Sequence, residues 1–334
     1  MKHFTSFHDV DDLSALLEDA FSFKKNPFAY DELGKRKTLG LVFLSSSLRT
    51  RLSTQKAALN LGMSVMVLNI ETEGWKLETQ DGEIMDGTNT EHVKDAAAVM
   101  GQYCDIIGIQ SVPPGVGMLE RDVDYADALL KQFVRYAGVP IINLQSAILH
   151  PLQSFADLIT IEELKEIQKP KVVLSWAPHV MPMTQAIPNS FLQWMNNADV
   201  ELVVAQPEGY ELSSEFVGKA EVIHNQNEGL LGADFVYAKS WCSYNRYGEM
   251  PSVKEDWRIT REKMNHTNNA FFMHSLPIRR NVIATDEVLD SPRSIVHRQA
   301  GNRLYATQAV LKSILKSNNG SNKTSAYAFQ ASLF

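Results

Sequence analysis

Cysteine is nearly absent: Cys104 and Cys242 are the only two in 334 residues. They are far apart and fit no metal spacing, which points to a reducing, cytoplasmic setting without a disulfide framework. Long apolar runs are missing too. No stretch approaches the roughly 20 apolar residues of a membrane span, and Met1-Lys2-His3-Phe4-Thr5-Ser6 lacks the apolar core of a signal peptide. Positive charge is not in excess, with 32 Lys+Arg against 39 Asp+Glu and a formal net charge of -7. That balance excludes a general affinity for nucleic acid or a membrane surface, so any anion site must be a local concentration of cations. A dinucleotide fingerprint is lacking: Gly115-Val116-Gly117 follows a candidate strand, but Glu120 stands at the third glycine position. Histidines and carboxylates do not fall at metal spacing, so neither metal nor cofactor is expected. Ser53-Thr54-Gln55-Lys56 has the spacing of a serine–lysine hydrolase, yet it lies in a predicted helix without the companion motifs.

What is present is an ordinary globular composition, 44% hydrophobic and 21% charged, in a chain long enough for two domains. Short apolar runs alternate with helical stretches. Strands are expected at 38–44, 64–70, 105–111 and 139–144, with helices over 91–104 and 122–136 between them. The second half repeats the pattern, with strands at 171–176, 200–206, 234–239 and 270–274 and a helix over 188–198. Such alternation predicts an α/β fold of two doubly wound parallel-sheet domains joined by interdomain helices. The expected boundaries are 1–149 for the first domain and 150–302 for the second, with a helix over 303–316 packing back on the first and a flexible tail over 317–334. A linking helix is expected just after His150, where Pro151 opens an apolar-spaced segment.

The most informative run is Leu41-Val42-Phe43-Leu44-Ser45-Ser46-Ser47-Leu48-Arg49-Thr50-Arg51, an apolar strand ending abruptly in hydroxyls and arginines before a helix. A strand feeding a helix N-terminus presents backbone N–H groups and the positive dipole end at one point. Ser47 and Thr50 add hydroxyls, and Arg49 and Arg51 add forks suited to phosphate oxygens. The bland alternative is that Ser47 only caps the helix while the arginines lie on the surface.

Further polar groups fall at or just after strand ends: Gln110, His179, Lys239 and His274. In open parallel sheets ligands sit there, which favours one shared site. His150-Pro151-Leu152-Gln153 places an imidazole and an amide one turn apart, a donor–acceptor pair for a carbonyl or amide; the alternative is a satisfied histidine at a domain junction. His274-Ser275-Leu276-Pro277-Ile278-Arg279-Arg280 is a strand end, a turn and two cations suited to a carboxylate or phosphate, or else two solvated arginines. Pro178 stiffens the loop that holds His179.

Together these residues resemble the aspartate/ornithine carbamoyltransferase superfamily, in consistent order from about residue 30 to residue 316. Ser47-Leu48-Arg49-Thr50-Arg51 resembles its Ser-x-Arg-Thr-Arg loop, His150-Pro151-Leu152-Gln153 its His-Pro-x-Gln motif, His274-Ser275-Leu276-Pro277 its His-Cys-Leu-Pro motif, and Asn302-Arg303 its closing arginine motif. Gly74-Trp75-Lys76-Leu77-Glu78 and Trp176-Ala177-Pro178-His179 are similar to the branch acting on N-acetylornithine and N-succinylornithine.

The resemblance implies a homotrimer with active sites between subunits, a trefoil knot in the second domain, and carbamoyl transfer from carbamoyl phosphate to the δ-amine of an N-acylated ornithine in arginine biosynthesis. By motif, Ser47, Leu48, Arg49, Thr50 and Gln110 face carbamoyl phosphate, joined by Trp75 from a neighbouring subunit. His150, Gln153 and Arg303 would orient and polarise the carbamoyl group. Thr90, Gln145, His179, Lys239, Ser275, Leu276 and Arg280 would hold the acylornithine. Acetyl-type enzymes carry a glutamate where Thr90 aligns, so a neutral Thr90 favours the succinyl substrate; a shift of one residue would place Glu91 there and favour acetyl.

The chain departs from the family pattern at several of these positions. Gln110 stands for an arginine, Gln145 for a glutamate, Leu149 for an arginine, Met181 for a cation and Ser275 for a cysteine. Most of these changes remove charge. Two readings therefore stand, a working acylornithine carbamoyltransferase and a catalytically impaired relative with a binding or assembly role.

Overall fold

The computed structural model describes residues 1–112 and 120–319. The Gly115-Val116-Gly117 segment and most of the expected tail lie outside the described residues. Eleven strands occur among them: β1 Thr38–Phe43, β2 Ser64–Asn69, β3 Leu77–Glu78, β4 Glu91–His92, β5 Ile106–Gln110, β6 Ile141–Gln145, β7 Lys171–Trp176, β8 Glu201–Ala205, β9 Glu221–Ile223, β10 Phe235–Lys239 and β11 Phe271–Met273.

They form two parallel sheets, ordered β2-β1-β5-β6 and β11-β10-β7-β8-β9, plus the short pair β3-β4. β1, β5, β7 and β10 are buried almost throughout, as expected for central parallel strands covered on both faces. Strand order reverses between β1 and β5 in one sheet and between β7 and β10 in the other. Those reversals open crevices at the carboxyl ends of the strands. The register there pairs Phe43 with Gln110, Gln110 with Gln145, and Trp176 with Lys239.

Two helices hold the halves together. The linking helix Pro151–Leu164 has proline at its first turn, where a missing N–H costs nothing. Every residue from Pro151 to Ile161 is buried, Gln153, Ser154, Asp157 and Thr160 included, so this helix is enclosed on nearly all sides and runs through the core. Phe155 stacks on Trp194 at 5.1 Å, and Phe7 meets the same indole edge-on at 5.2 Å. The C-terminal helix Val296–Asn319 packs against the linking helix and against helices Leu13–Lys25 and Arg49–Asn60.

Several expectations are corrected. The C-terminal helix begins before residue 303 and runs through Ser317–Asn319, so the first residues assigned to a flexible tail are helical. The single helix expected over 122–136 is two, Arg121–Ala126 and Ala128–Tyr136, broken where Asp127 adopts a left-handed φ of 45°. The helix Leu13–Lys25 and strand β9 were not anticipated. Only Leu16, Ala20 and Phe23 of that helix are fully buried, too thin a stripe to stand out in the sequence. β9 has two exposed residues out of three.

Candidate functional site

A cavity of about 620 Å³ opens at the carboxyl ends of both sheets. Ser46, Ser47 and Leu48 come from the loop after β1, Arg49 and Thr50 from the first turn of helix Arg49–Asn60, Gln110 from β5 and Gln145 from β6. His150 and Gln153 enter from the linking helix, Lys239 from β10, and Ser275 to Pro277 from the loop after β11. Arg303 reaches in from the C-terminal helix, and Met183 and Ile187 supply an apolar wall.

Helix Arg49–Asn60 begins at the cavity. Its N-cap, Leu48, makes no side-chain cap, so Ser47 is not used up as a helix cap. First-turn N–H groups have no intrahelical partner and the positive dipole end points the same way. Arg49 faces the cavity with its Nε unpartnered. Arg51, expected beside it, turns away: its guanidinium lies 4.0 Å from the Phe43 ring centroid and donates to Asn69. An i,i+2 spacing on a helix places the two arginines on different faces.

Arg303 is 4% exposed and Lys239 6% exposed. Arg303 donates to Thr50 Oγ1 at 2.7 Å and approaches His150 Nε2 at 3.5 Å. Among the described residues neither Arg49, Lys239 nor Arg303 is within ion-pairing distance of a carboxylate. Burial pushes Lys239 down to about 8, with Arg49 adding to the fall and Asp157 opposing it. Arg303 is lowered to about 10 by burial and by Arg49. His150 and His274 are held neutral, far below the usual imidazole range, first by burial and then by neighbouring cations. Three cations crowded without a counter-ion are costly in the empty protein and are relieved by a bound anion.

A polar layer backs the cavity. Gln153 Nε2 and Gln299 Nε2 each donate to Asp157 Oδ1 at 2.7 Å. Gln299 Oε1 accepts from His274 N, and His274 Nδ1 accepts from Leu276 N. Leu276 has a left-handed φ of 52° and precedes a cis Pro277. On the opposite side Gln110 Nε2 donates to Ser45 Oγ, leaving its buried Oε1 unpartnered.

Of the sequence-derived candidates, Ser47, Leu48, Arg49, Thr50, Gln110, Gln145, His150, Gln153, Lys239, Ser275, Leu276 and Arg303 line this one cavity. Four do not. Trp75 is 54% exposed and donates to Glu91, beside an apolar recess formed with Leu44, Ile70 and Leu77. Thr90 is exposed, and its backbone N–H donates to Lys76. His179 is half-buried outside the lining and accepts from Arg279 Nε at 3.3 Å. Arg280 is tied to Asp286 and Asp290 on the surface.

Two flagged departures also lie elsewhere. Leu149 belongs to the hydrophobic core, and Met181 contributes only backbone groups to His179. Sequence reasoning missed Met183, Ile187 and the Asp157–Gln299 pair. Asp157 and Gln299 line none of the described cavities, and the two are 142 residues apart in sequence.

Two family models match the chain: the carbamoyl-P binding domain of aspartate/ornithine carbamoyltransferase over residues 2–163 and its Asp/Orn binding domain over residues 183–314. An N-succinylornithine carbamoyltransferase of Bacteroides thetaiotaomicron is 52% identical over 95% of this chain and 99% of its own length. An N-acetylornithine carbamoyltransferase of Xanthomonas axonopodis pv. citri is 34% identical over 94% and 96%. A solved N-acetyl-L-ornithine transcarbamylase variant, glutamate to alanine, complexed with carbamyl phosphate and N-succinyl-L-norvaline, superposes with a TM-score of 0.86 at 34% identity, covering 94% of this chain and all of that one. The chain belongs to the aspartate/ornithine carbamoyltransferase family.

Proposed function

We propose that the protein is an N-succinyl-L-ornithine carbamoyltransferase of arginine biosynthesis, moving the carbamoyl group of carbamoyl phosphate to the δ-amine of the acylated ornithine. The observation that carries this reading is the set of cations without a carboxylate partner among the described residues, half-buried Arg49 with buried Lys239 and Arg303, around a cavity that also holds Thr50, His150 and Gln153. In this reading the helix N-terminus, Ser47, Leu48, Arg49 and Thr50 hold the phosphate, with Gln110 beside them. Arg303 and the neutral His150 polarise the carbamoyl oxygen, while Gln153 holds its amide. The amine attacks the carbamoyl carbon, the C–O bond to phosphate breaks, and phosphate leaves with the electron pair. The amine proton passes to phosphate or solvent. Positioning and charge stabilisation suffice, without a covalent enzyme intermediate.

Gln145, Lys239, Ser275 and Leu276 would face the acylornithine in the same cavity. Thr90, His179 and Trp75 would contribute from loops and from a neighbouring subunit of a cytoplasmic homotrimer, whereas Arg280 is engaged by Asp286 and Asp290; Trp75 and Thr90 are exposed as such a role requires. We infer the same domain limits as above, 1–149 and 150–302, and a trefoil knot in the second. Succinyl over acetyl is supported by the identity of 52% to a succinyl-type relative against 34% to an acetyl-type one. It is also supported by neutral Thr90. Complexes of the acetylornithine enzyme with N-succinyl-L-norvaline are of variants in which one glutamate is replaced by Ala, Val, Ser or Pro.

The test supplies carbamoyl phosphate with N-succinyl-, N-acetyl- or free ornithine and measures the ureido product. Turnover is expected with the succinyl substrate foremost. No turnover with any of the three from folded protein overturns the enzyme reading and leaves a binding role.

A further inference from the structure

Asp157 is fully buried on the linking helix, one turn beyond Gln153, and makes no ion pair among the described residues. Its Oδ1 accepts two amide hydrogen bonds at 2.7 Å, one from Gln153 of its own helix and one from Gln299 of the C-terminal helix. A glutamine amide has two ends, and the end given to the carboxylate decides which end is left over. Gln153 spends its NH₂ on Asp157, so its Oε1, buried and unpartnered, is the group left for the cavity it lines. Gln299 likewise spends its NH₂ on Asp157, which turns its Oε1 to accept from the backbone N–H of His274 at 2.9 Å. His274 Nδ1 in turn accepts from Leu276 N at 2.8 Å, inside the loop that supplies Ser275, Leu276 and Pro277 to the cavity. Burial brings the Asp157 carboxyl up to about 7. Its second oxygen takes neither amide and can carry a proton, so Oδ1 remains an acceptor in either state.

We propose that Asp157 is a positioning residue: through one carboxylate oxygen it fixes the amide orientation of Gln153 and of Gln299, presenting Gln153 Oε1 to the N–H of a carboxamide-bearing ligand and holding the His274–Pro277 loop against the cavity. The ligand half of this statement rests on the carbamoyltransferase reading. The intramolecular half does not. With Asp157 removed, Gln153 is free to turn its NH₂ outward, where it meets the carbamoyl NH₂ donor to donor.

The test compares phosphonoacetamide, a stable phosphonate bearing a carboxamide, with inorganic phosphate by calorimetry. Asp157→Leu is expected to weaken phosphonoacetamide roughly tenfold or more while leaving phosphate within about twofold. Asp157→Asn, which keeps one carbonyl acceptor, restores most of the loss. In a Gln153→Ala background Asp157→Leu adds only the small part carried by the loop, because its main route is gone. Equal weakening of both ligands, or full multiplication of the two effects, overturns the proposal. Where Asp157→Leu does not fold, Asp157→Ala takes its place.

A second arm needs no ligand: the side-chain amide protons of Gln153, followed by NMR, exchange slowly in the parent protein and fast in the Asp157 variant. Exchange unchanged by the substitution overturns the orientation claim. A parent protein that binds neither probe and turns over no amine overturns the functional reading instead, and the exchange experiment still decides the role of Asp157.

Discussion

Two cationic sites in this molecule are built in opposite ways. Arg280 sits half-exposed on the surface, with Asp286 at 2.7 Å and Asp290 at 2.6 Å. Arg49, Lys239 and Arg303 surround a cavity with no carboxylate in ion-pairing reach among the described residues, the last two almost completely buried. The first arrangement is self-sufficient and weakly stabilising, as exposed pairs usually are. The second stores an uncompensated charge that only a ligand relieves. Residue type alone does not distinguish the two; the presence or absence of a counter-charge does.

The contrast can be broken by substitution. The largest effect is expected from Arg303→Met, which keeps the stem and removes the guanidinium facing Thr50 and His150. A fall of about a hundredfold to a thousandfold in kcat/KM is expected, measured as ureido product formation. Thr90→Glu should lower kcat/KM for N-succinylornithine by at least about tenfold while sparing N-acetylornithine, since a carboxylate there repels the succinyl carboxylate. Equal effects on both substrates would remove Thr90 from the acyl site.

Gln110→Arg adds a further cation to the unpaired set. Phosphate affinity, read by calorimetry, is expected to rise about tenfold, the worth of one charged hydrogen bond of roughly 1.5 kcal/mol. An unchanged affinity would mean that Gln110 does not face the phosphate.

A smaller, pH-linked effect follows from Lys239. Burial holds it at about 8, below its ordinary 10.5, so the folded empty protein binds fewer protons than the unfolded chain between those values. Its contribution to stability therefore rises with pH across that window, while affinity for an anion falls as pH climbs through about 8. Thermal melts and phosphate titrations at pH 7 and 9 should show opposite trends, and both should flatten in Lys239→Met. The smallest effect is expected from Arg280→Ala, with kcat/KM changed by less than about twofold. A large loss would return Arg280 to the site.

The sheets were readable because central parallel strands are continuous apolar runs. Lys171–Trp176 is found as the pattern delimits it, and Thr38–Phe43 falls within one residue of its expected end. The phosphate loop was readable for a similar reason, since an apolar strand broken by hydroxyls and arginines is a local signal. Asp127 was not readable, because its left-handed break depends on how two short helices pack. Nor was the destination of Arg51, which the Phe43 ring and Asn69 decide.

By itself, then, the sequence determined the α/β alternation, the family, and most of the polar residues that converge on one cavity. These follow from periodicity and from motifs written contiguously along the chain. The tertiary structure alone decided which cations are left unpaired, that Leu149 and Met181 lie outside the cavity lining, and that Asp157 joins Gln153 to Gln299. The physical reason is that a side chain's charge balance and hydrogen-bond partners come from segments distant in sequence, and only folding sets their distances.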